Sequence, residues 1–282
     1  MTERLPPGLF IVATPIGNLG DLGERASETL RRADLVLAED TRVTAKLLAH
    51  IGAKVPMARY DDHSTEQERD RIVSRLGEQS IALVSDAGTP LISDPGYKLV
   101  RAAREAGREI HTIPGPSAAI AALTLAGLPT DRFLFVGFLP PKEKARADAI
   151  FEVMDVRATL ILYESGPRTG DTLAALAQCL GERKAAVVRE ISKLHEECVT
   201  GSLGELALRY AATAPKGEIV IVVGPPVRSE KVSDDDLDAA LAAAMATLSP
   251  SRAAAKVAQQ LNVPRKRAYA RALDLSPDRS RT

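Results

Sequence analysis

Two α/β domains followed by a small helical module are predicted by three features of the 282-residue sequence. Short apolar runs rich in Val and Ile recur as far as Val223 with little alternation, which suits strands covered on both faces. Segments of helical apolar spacing separate them, and that alternation reads as α/β with largely parallel sheets. Beyond Gly224-Pro225-Pro226 only helical spacing continues.

Taken in order, the strand-like runs cover residues 9–13, 35–38, 81–84, 133–136, 160–163, 186–188 and 219–223. Ala26, Leu30 and Ala33 mark a helix in the first half; Leu173, Leu176, Ala177 and Leu180 mark one in the second. Pro114-Gly115-Pro116 and Gly127-Leu128-Pro129 bracket a small-residue helix, as expected of a segment carrying the chain between two sheets. The expected division is an amino-terminal domain over 1–118, a second α/β domain over 119–226 and a three-helix module over 233–275. In that module Leu237, Ala240, Leu241, Ala244 and Leu248 form one stripe, and Ala254, Val257, Ala258 and Leu261 a second. A turn at Asn262-Val263-Pro264 precedes a last helix, an arrangement similar to helix-turn-helix units.

The composition excludes several classes. The chain has 37 basic and 37 acidic residues, 45% apolar residues and no net charge, which is not the composition of a disordered chain. A protein binding nucleic acid over its whole surface is usually basic, so any such contact here is local. No run reaches the roughly 18–20 apolar residues of a membrane span. The first seven residues lack the apolar stretch of a secretion signal, so a cytoplasmic location is expected. Cys179 and Cys198 cannot build a disulfide scaffold or a four-ligand zinc site, and Cys179 reads as core. The four His show no metal spacing: His50 ends a helix, His111 lies on a strand, and His195 faces neighbouring glutamates.

Residues 249–282 hold eight Lys or Arg against two Asp, a local excess of six positive charges. Arg265, Lys266, Arg267 and Arg271 open and line the last helix, which favours a nucleic-acid contact over a solvated tail covering a domain edge.

Three loops could carry chemistry. The first strand ends in Thr14-Pro15-Ile16-Gly17-Asn18-Leu19-Gly20-Asp21, where glycines let backbone approach a ligand. A loop at 85–96 puts two Asp, two Gly and two Pro at the carboxyl end of a buried strand, where open α/β sheets bind ligands. Within it, Asp94-Pro95 reads as a helix cap followed by the first helical position. In Ile113-Pro114-Gly115-Pro116-Ser117-Ala118, Ser117 reads as the cap of the small-residue helix.

These loops occur in order with Ala38-Glu39-Asp40-Thr41-Arg42, Phe138-Leu139-Pro140-Pro141-Lys142, Tyr163-Glu164-Ser165, the charged segment 189–197 and Pro215-Lys216-Gly217-Glu218. The ordered set resembles the tetrapyrrole-methylase-like superfamily. Within it, the set is most similar to the bacterial 16S ribosomal RNA small subunit methyltransferase I family, which modifies the ribose of cytidine 1402. The resemblance covers residues 8–224 and extends to the helical module. Residues 60–64 and 164–168 differ from the family's usual residues in those loops.

The resemblance implies transfer of a methyl group from S-adenosylmethionine to a ribose 2′-hydroxyl in the decoding region, with the donor between two α/β domains. It implies donor contacts at Gly17, Asp86, Ala87, Gly88, Ser117, Ala118, Phe138 and Gly217. No metal is required, because the sulfonium methyl is already activated. A ribose hydroxyl is a weak acid, so a base or a cation near the developing alkoxide would help. Glu190, Lys193 and Glu39 are the candidates, and the choice among them stays open. Arg42 and Arg168, read as contacts to RNA or to the donor carboxylate, and Arg189 join the four basic residues of the last helix as expected RNA contacts. Further expectations are a homodimer and 16S RNA within the 30S subunit as partner. The competing readings are a small-molecule acceptor such as a tetrapyrrole precursor, and a donor-sensing nucleic-acid-binding regulator.

Overall fold

The computed structural model describes residues 4–226, 233–261 and 263–276, in two compact units, 1–226 and 227–282. The first unit opens with β1 (Gly8–Val12), α1 (Glu24–Arg32), β2 (Leu35–Ala38), α2 (Thr41–His50) and β3 (Met57–Arg59). It continues through α3 (Glu66–Arg75), β4 (Ser80–Val84), α4 (Tyr97–Glu105), β5 (Ile110–Ile113) and α5 (Ala118–Leu125). The second half comprises β6 (Phe133–Phe138), α6 (Glu143–Val153), β7 (Thr159–Ser165), α7 (Thr169–Leu180), β8 (Lys184–Arg189), β9 (Glu197–Ser202), α8 (Leu203–Ala211) and β10 (Glu218–Val223).

The first sheet is wholly parallel in the order β3-β2-β4-β1-β5. Successive side chains on β1, β2 and β4 fall alternately into two apolar clusters, one per face, so these strands read as unbroken apolar runs. The second sheet, ordered β6-β7-β10-β8-β9, departs from the largely parallel expectation. Only β6 and β7 are parallel there; β10 runs antiparallel to both β7 and β8, and β8 to β9. The pattern conceals this because β10 is covered on both faces. Ile219, Ile221 and Val223 join the cluster that contains Ile150 and Leu160, while Val220 and Val222 pack with Ala119, Ala122 and Leu123 of α5. Double burial, and not strand direction, is what a continuous apolar run reports.

The helix α5 leaves the first sheet at β5 and covers a face of the second. The strands β3, β5 and β9 are not among the apolar runs; all three are edge strands, and none is wholly buried.

The second unit contains α9 (Asp234–Met245), α10 (Pro250–Gln260) and α11 (Arg265–Asp274) around Leu237, Leu241, Ala254, Val257, Ala268 and Ala272.

Candidate active site

The site lies where the carboxyl ends of β1 and β4 meet, at the point where connections diverge to opposite sides of the first sheet. Its loops are latched together by Thr14 and Gly88, which exchange backbone hydrogen bonds of 2.8 and 3.1 Å. The Thr89 hydroxyl donates to the Pro116 carbonyl at 3.0 Å, tying in the loop after β5. Leu91 and Ser93 hold left-handed conformations (φ 75° and 63°) that L residues avoid, a sign of a loop shaped for a purpose. From the other half, β6 bulges between Phe135 and Gly137. A Cβ on Gly137 would lie 3.3 Å from Ser93 Oγ, so glycine allows the two halves this close approach. After the bulge, Phe138 meets Tyr163 edge-on at 5.6 Å, and the Tyr163 hydroxyl accepts from the Ala119 N–H at 3.2 Å. Burial raises the Tyr163 phenol above its ordinary range.

Two adjoining cavities result. The first, of about 200 Å³, brings together Ala87, Gly88, Ser117, Ala118 and Phe138 of the expected donor contacts. The second, of about 310 Å³, is lined by Gly17, Asp86, Ala87 and Lys193. Ile16, Ala87 and Glu218 border both. Gly217 lines neither but precedes Glu218 at φ 95°. A Cβ there would lie 2.5 Å from Glu190 Cδ, and one on Gly17 would lie 2.5 Å from Lys193 Cγ. Each glycine thus leaves room for one charged side chain.

Those side chains form a single network. Lys193 Nζ donates to Glu218 Oε2 at 2.9 Å and to Glu190 Oε1 at 3.1 Å, and the Glu218 N–H donates to Glu190 Oε1 at 3.2 Å. The antiparallel register explains the meeting: Glu218 starts β10 opposite Ser165, and Ile219 pairs with Arg189. The hydrogen bond from Lys193 holds the Glu190 carboxyl below its ordinary range. Burial pulls the Lys193 ammonium down, but the two carboxylates outweigh it and the net shift is upward. Lys193 is therefore a cation at neutral pH, and Glu190 is a weaker base than an ordinary carboxylate.

A second acidic group lies on the side of the first sheet. Burial pushes the Asp94 carboxyl up to about 6, aided by Asp86 and Asp62 and opposed by the Ser85 hydroxyl. Burial also raises Glu39, with Asp86 and Asp94 adding to it. The capping role expected of Asp94 is not realised: α4 starts at Tyr97 with Gly96 as its cap, and Asp94 lines the first cavity. Ser117 does occupy the cap position of α5, but its side chain makes no capping bond.

The expected RNA contacts of this unit have internal partners. Arg42 grips Asp40 with two nitrogens, holding that carboxyl at about 2, and Asp40 caps α2. Arg168 donates to the Leu139 carbonyl at 2.7 Å and lies 3.4 Å from the buried Glu164, clamping the chain after Phe138. Arg189 pairs with Glu197 at 2.5 Å. Glu196 accepts from the Ser192 N–H and Glu197 from Arg189, with Arg209 as a further ion-pair partner of Glu197, in place of the expected His195. Glu218, Glu164, Tyr163 and Asp94 are site residues that sequence reasoning misses. All four lie within the motifs of the ordered set, but it takes the strand register and the fold of the loop after β4 to bring them to one cavity.

In the helical unit the basic excess belongs to residues 249–282: the whole module 233–275 holds six Lys or Arg and five Asp, because α9 opens with Asp234, Asp235 and Asp236. Arg267 pairs with Asp234 at 2.7 Å, and Arg271 forks onto Asp238. Arg265 and Lys266 are exposed; Arg279 and Arg281 lie outside the described residues. Among the described residues there is no grouping of three or more His, Cys, Asp or Glu suited to a metal, and no helix long and apolar enough to cross a membrane.

Comparison with known proteins assigns both units. The family described as tetrapyrrole (corrin/porphyrin) methylases matches residues 8–207, and the one described as the RsmI C-terminal HTH domain matches residues 231–276. A ribosomal RNA small subunit methyltransferase I of Erythrobacter litoralis is 55% identical, covering 97% of each chain. One of Mesorhizobium japonicum is 46% identical, over 96% of this chain and 93% of that one. A uroporphyrin-III-C-methyltransferase structure from Thermus thermophilus shares the fold at 22% identity and a TM-score of 0.53, covering 77% of this chain and 94% of that chain. The chain belongs to the tetrapyrrole methylase family and, within it, to the ribosomal RNA small subunit methyltransferase I group.

Proposed function

We propose that this chain transfers a methyl group from S-adenosylmethionine to the 2′-hydroxyl of cytidine 1402 in the decoding region of 16S RNA. The observation that carries this reading is Glu218, which borders both cavities and shares the Lys193 ammonium with Glu190. A donor in the first cavity and a ribose in the second would then meet at one charged network.

The first cavity suits the donor. Ala87, Gly88 and Ala118 offer a small-residue floor, and Phe138 and Tyr163 offer aromatic surface for a purine or a sulfonium. Asp94 lines the same cavity and, when ionised, favours a cationic ligand. When bound, the donor supplies a methyl group already activated for displacement. The chain's own residues do the rest. Lys193 stabilises negative charge developing on the ribose oxygen, and Glu190 holds that ammonium in place. Glu218 receives the hydroxyl proton as the oxygen forms its bond to carbon. No step calls for a metal. The 30S subunit is the expected form of the substrate, the cytoplasm the expected location and a homodimer the expected assembly.

The test is transfer of labelled methyl to undermethylated 30S subunits, followed by mapping of alkali-resistant linkages, since a 2′-O-methyl ribose cannot cyclise. One resistant site at a decoding-region cytidine is the expected result. Label without alkali resistance would move the acceptor to a base, and absence of label in ribosomal particles would end the RNA reading.

A further inference from the structure

Leu194 exposes 93% of its surface, more than any other large apolar residue among those described. Isolated exposed leucines are ordinary, but this one is held on a loop that is anything but slack. Between β8 and β9, the Lys193 N–H donates to the Glu190 carbonyl at 3.0 Å and the Glu196 N–H to the Lys193 carbonyl at 3.2 Å. The Ser192 N–H donates to the Glu196 carboxylate at 2.7 Å, and the Ser192 hydroxyl reaches the Asp21 carboxylate across the cleft. Glu190 and Ser192 both hold left-handed conformations (φ 50° and 66°). Such strain in a cross-braced loop beside a site points to a role in that site.

The position of the loop narrows that role. Lys193 turns into the second cavity, over Gly17. The next residue, one Cα step of about 3.8 Å away, sends an apolar side chain into water. A rigid apolar point next to a cavity for one nucleotide matches the wedge by which proteins part a base stack. Enzymes that act on a base draw its nucleotide out of the stack, and a nucleotide so extruded can present its ribose to a pocket.

We propose that Leu194 is such a wedge: it enters the base stack beside the target nucleotide and holds that nucleotide out, so that its ribose reaches Lys193 and Glu218. This inference rests on the RNA reading above. It makes Leu194 a positioning residue, not a catalytic one.

The test uses undermethylated 30S subunits with wild-type protein, Leu194→Ala and Leu194→Met. Labelled methyl transfer is followed together with dimethyl sulfate reactivity of the bases flanking the target. Wild type and Leu194→Met should raise that reactivity on binding. Leu194→Ala should not, and its kcat/KM should fall about tenfold or more. Its donor affinity by calorimetry and its melting temperature should equal wild type, because the side chain it loses is almost wholly in solvent. Wild-type rate and reactivity in Leu194→Ala would overturn the wedge while leaving the RNA reading intact. Failure of the wild-type protein to label 30S subunits would overturn both. A change of oligomeric state in Leu194→Ala with flanking reactivity still raised as in wild type would assign Leu194 to a subunit contact and overturn the wedge.

Discussion

Replacing Gly17 by alanine should disable Lys193 without altering any charge. The new Cβ would lie 2.5 Å from Lys193 Cγ and 3.0 Å from Cδ, whereas carbon atoms prefer about 3.5–4.0 Å. The lysine stem must therefore retreat by roughly 1 Å. Its ammonium now donates at 2.9 Å to Glu218 and 3.1 Å to Glu190, and a shift of that size leaves both contacts near or beyond hydrogen-bond reach. Loss of one preorganised donor at a developing oxyanion typically costs about 10²–10³ in kcat. The backbone adds a smaller penalty, because φ at Gly17 is 149°, and stability should fall by on the order of 1 kcal/mol. Single-turnover methyl transfer and donor binding would be measured in wild type, Gly17→Ala, Lys193→Ala and the double variant. Both single variants should lose rate to a similar extent, with donor affinity little changed. The double variant should be no slower than Lys193→Ala, because the stem that clashed is gone. Losses that multiply in the double variant would refute the steric argument. A loss carried wholly by donor affinity would instead make Gly17 a donor contact.

Four further outcomes follow from particular groups. Asp94, raised to about 6 in the folded protein from about 3.9 when unfolded, binds its proton more tightly in the fold. Its ionisation therefore weakens the fold as pH rises toward 6, and the penalty persists above that. Asp94→Asn should raise the melting temperature relative to wild type at pH 8, and the gain should disappear near pH 4. Arg168→Ala removes the charged donor on the Leu139 carbonyl, at a cost of about 2 kcal/mol, or a melting temperature lower by roughly 4–8 °C in thermal scans. In the helical unit, Arg265→Ala with Lys266→Ala should weaken RNA binding and flatten its salt dependence in filter binding. Arg271→Ala, which breaks an ion pair to Asp238, should mainly lower the stability of that unit, by up to about 1 kcal/mol.

What could be read from the sequence depended on how far apart the deciding residues stand. Strands such as β2 and β4 were legible because every residue is buried. By contrast, Met57-Ala58-Arg59 is an edge strand with two exposed side chains, and it carries no pattern to find. The latched loops after β1, β4 and β5 were legible because glycine, proline and aspartate must act locally to shape them. Glu190 and Glu218 stand beside and on different strands and meet at Lys193 because β10 runs against β8. No local signal specifies that direction. The ion pairs of the module were hidden for a related reason: the acids that meet Arg267 and Arg271 lie two helices earlier, on α9, outside the basic segment.

The passage of α5 from one sheet to the other also bears on how the chain folds. Ala119, Ala122, Leu123 and Ala126 close a face of the second sheet, against Ile161, Val188, Val220 and Val222. The amino-terminal half therefore emerges from the ribosome already carrying a piece of its neighbour's core, which stays uncovered until β10 has been made. A fragment meant to reproduce the second half must begin before Pro114 and not at Phe133. If it began at Phe133, the strands would form a sheet with one oily face open to water, and such a fragment would aggregate rather than fold.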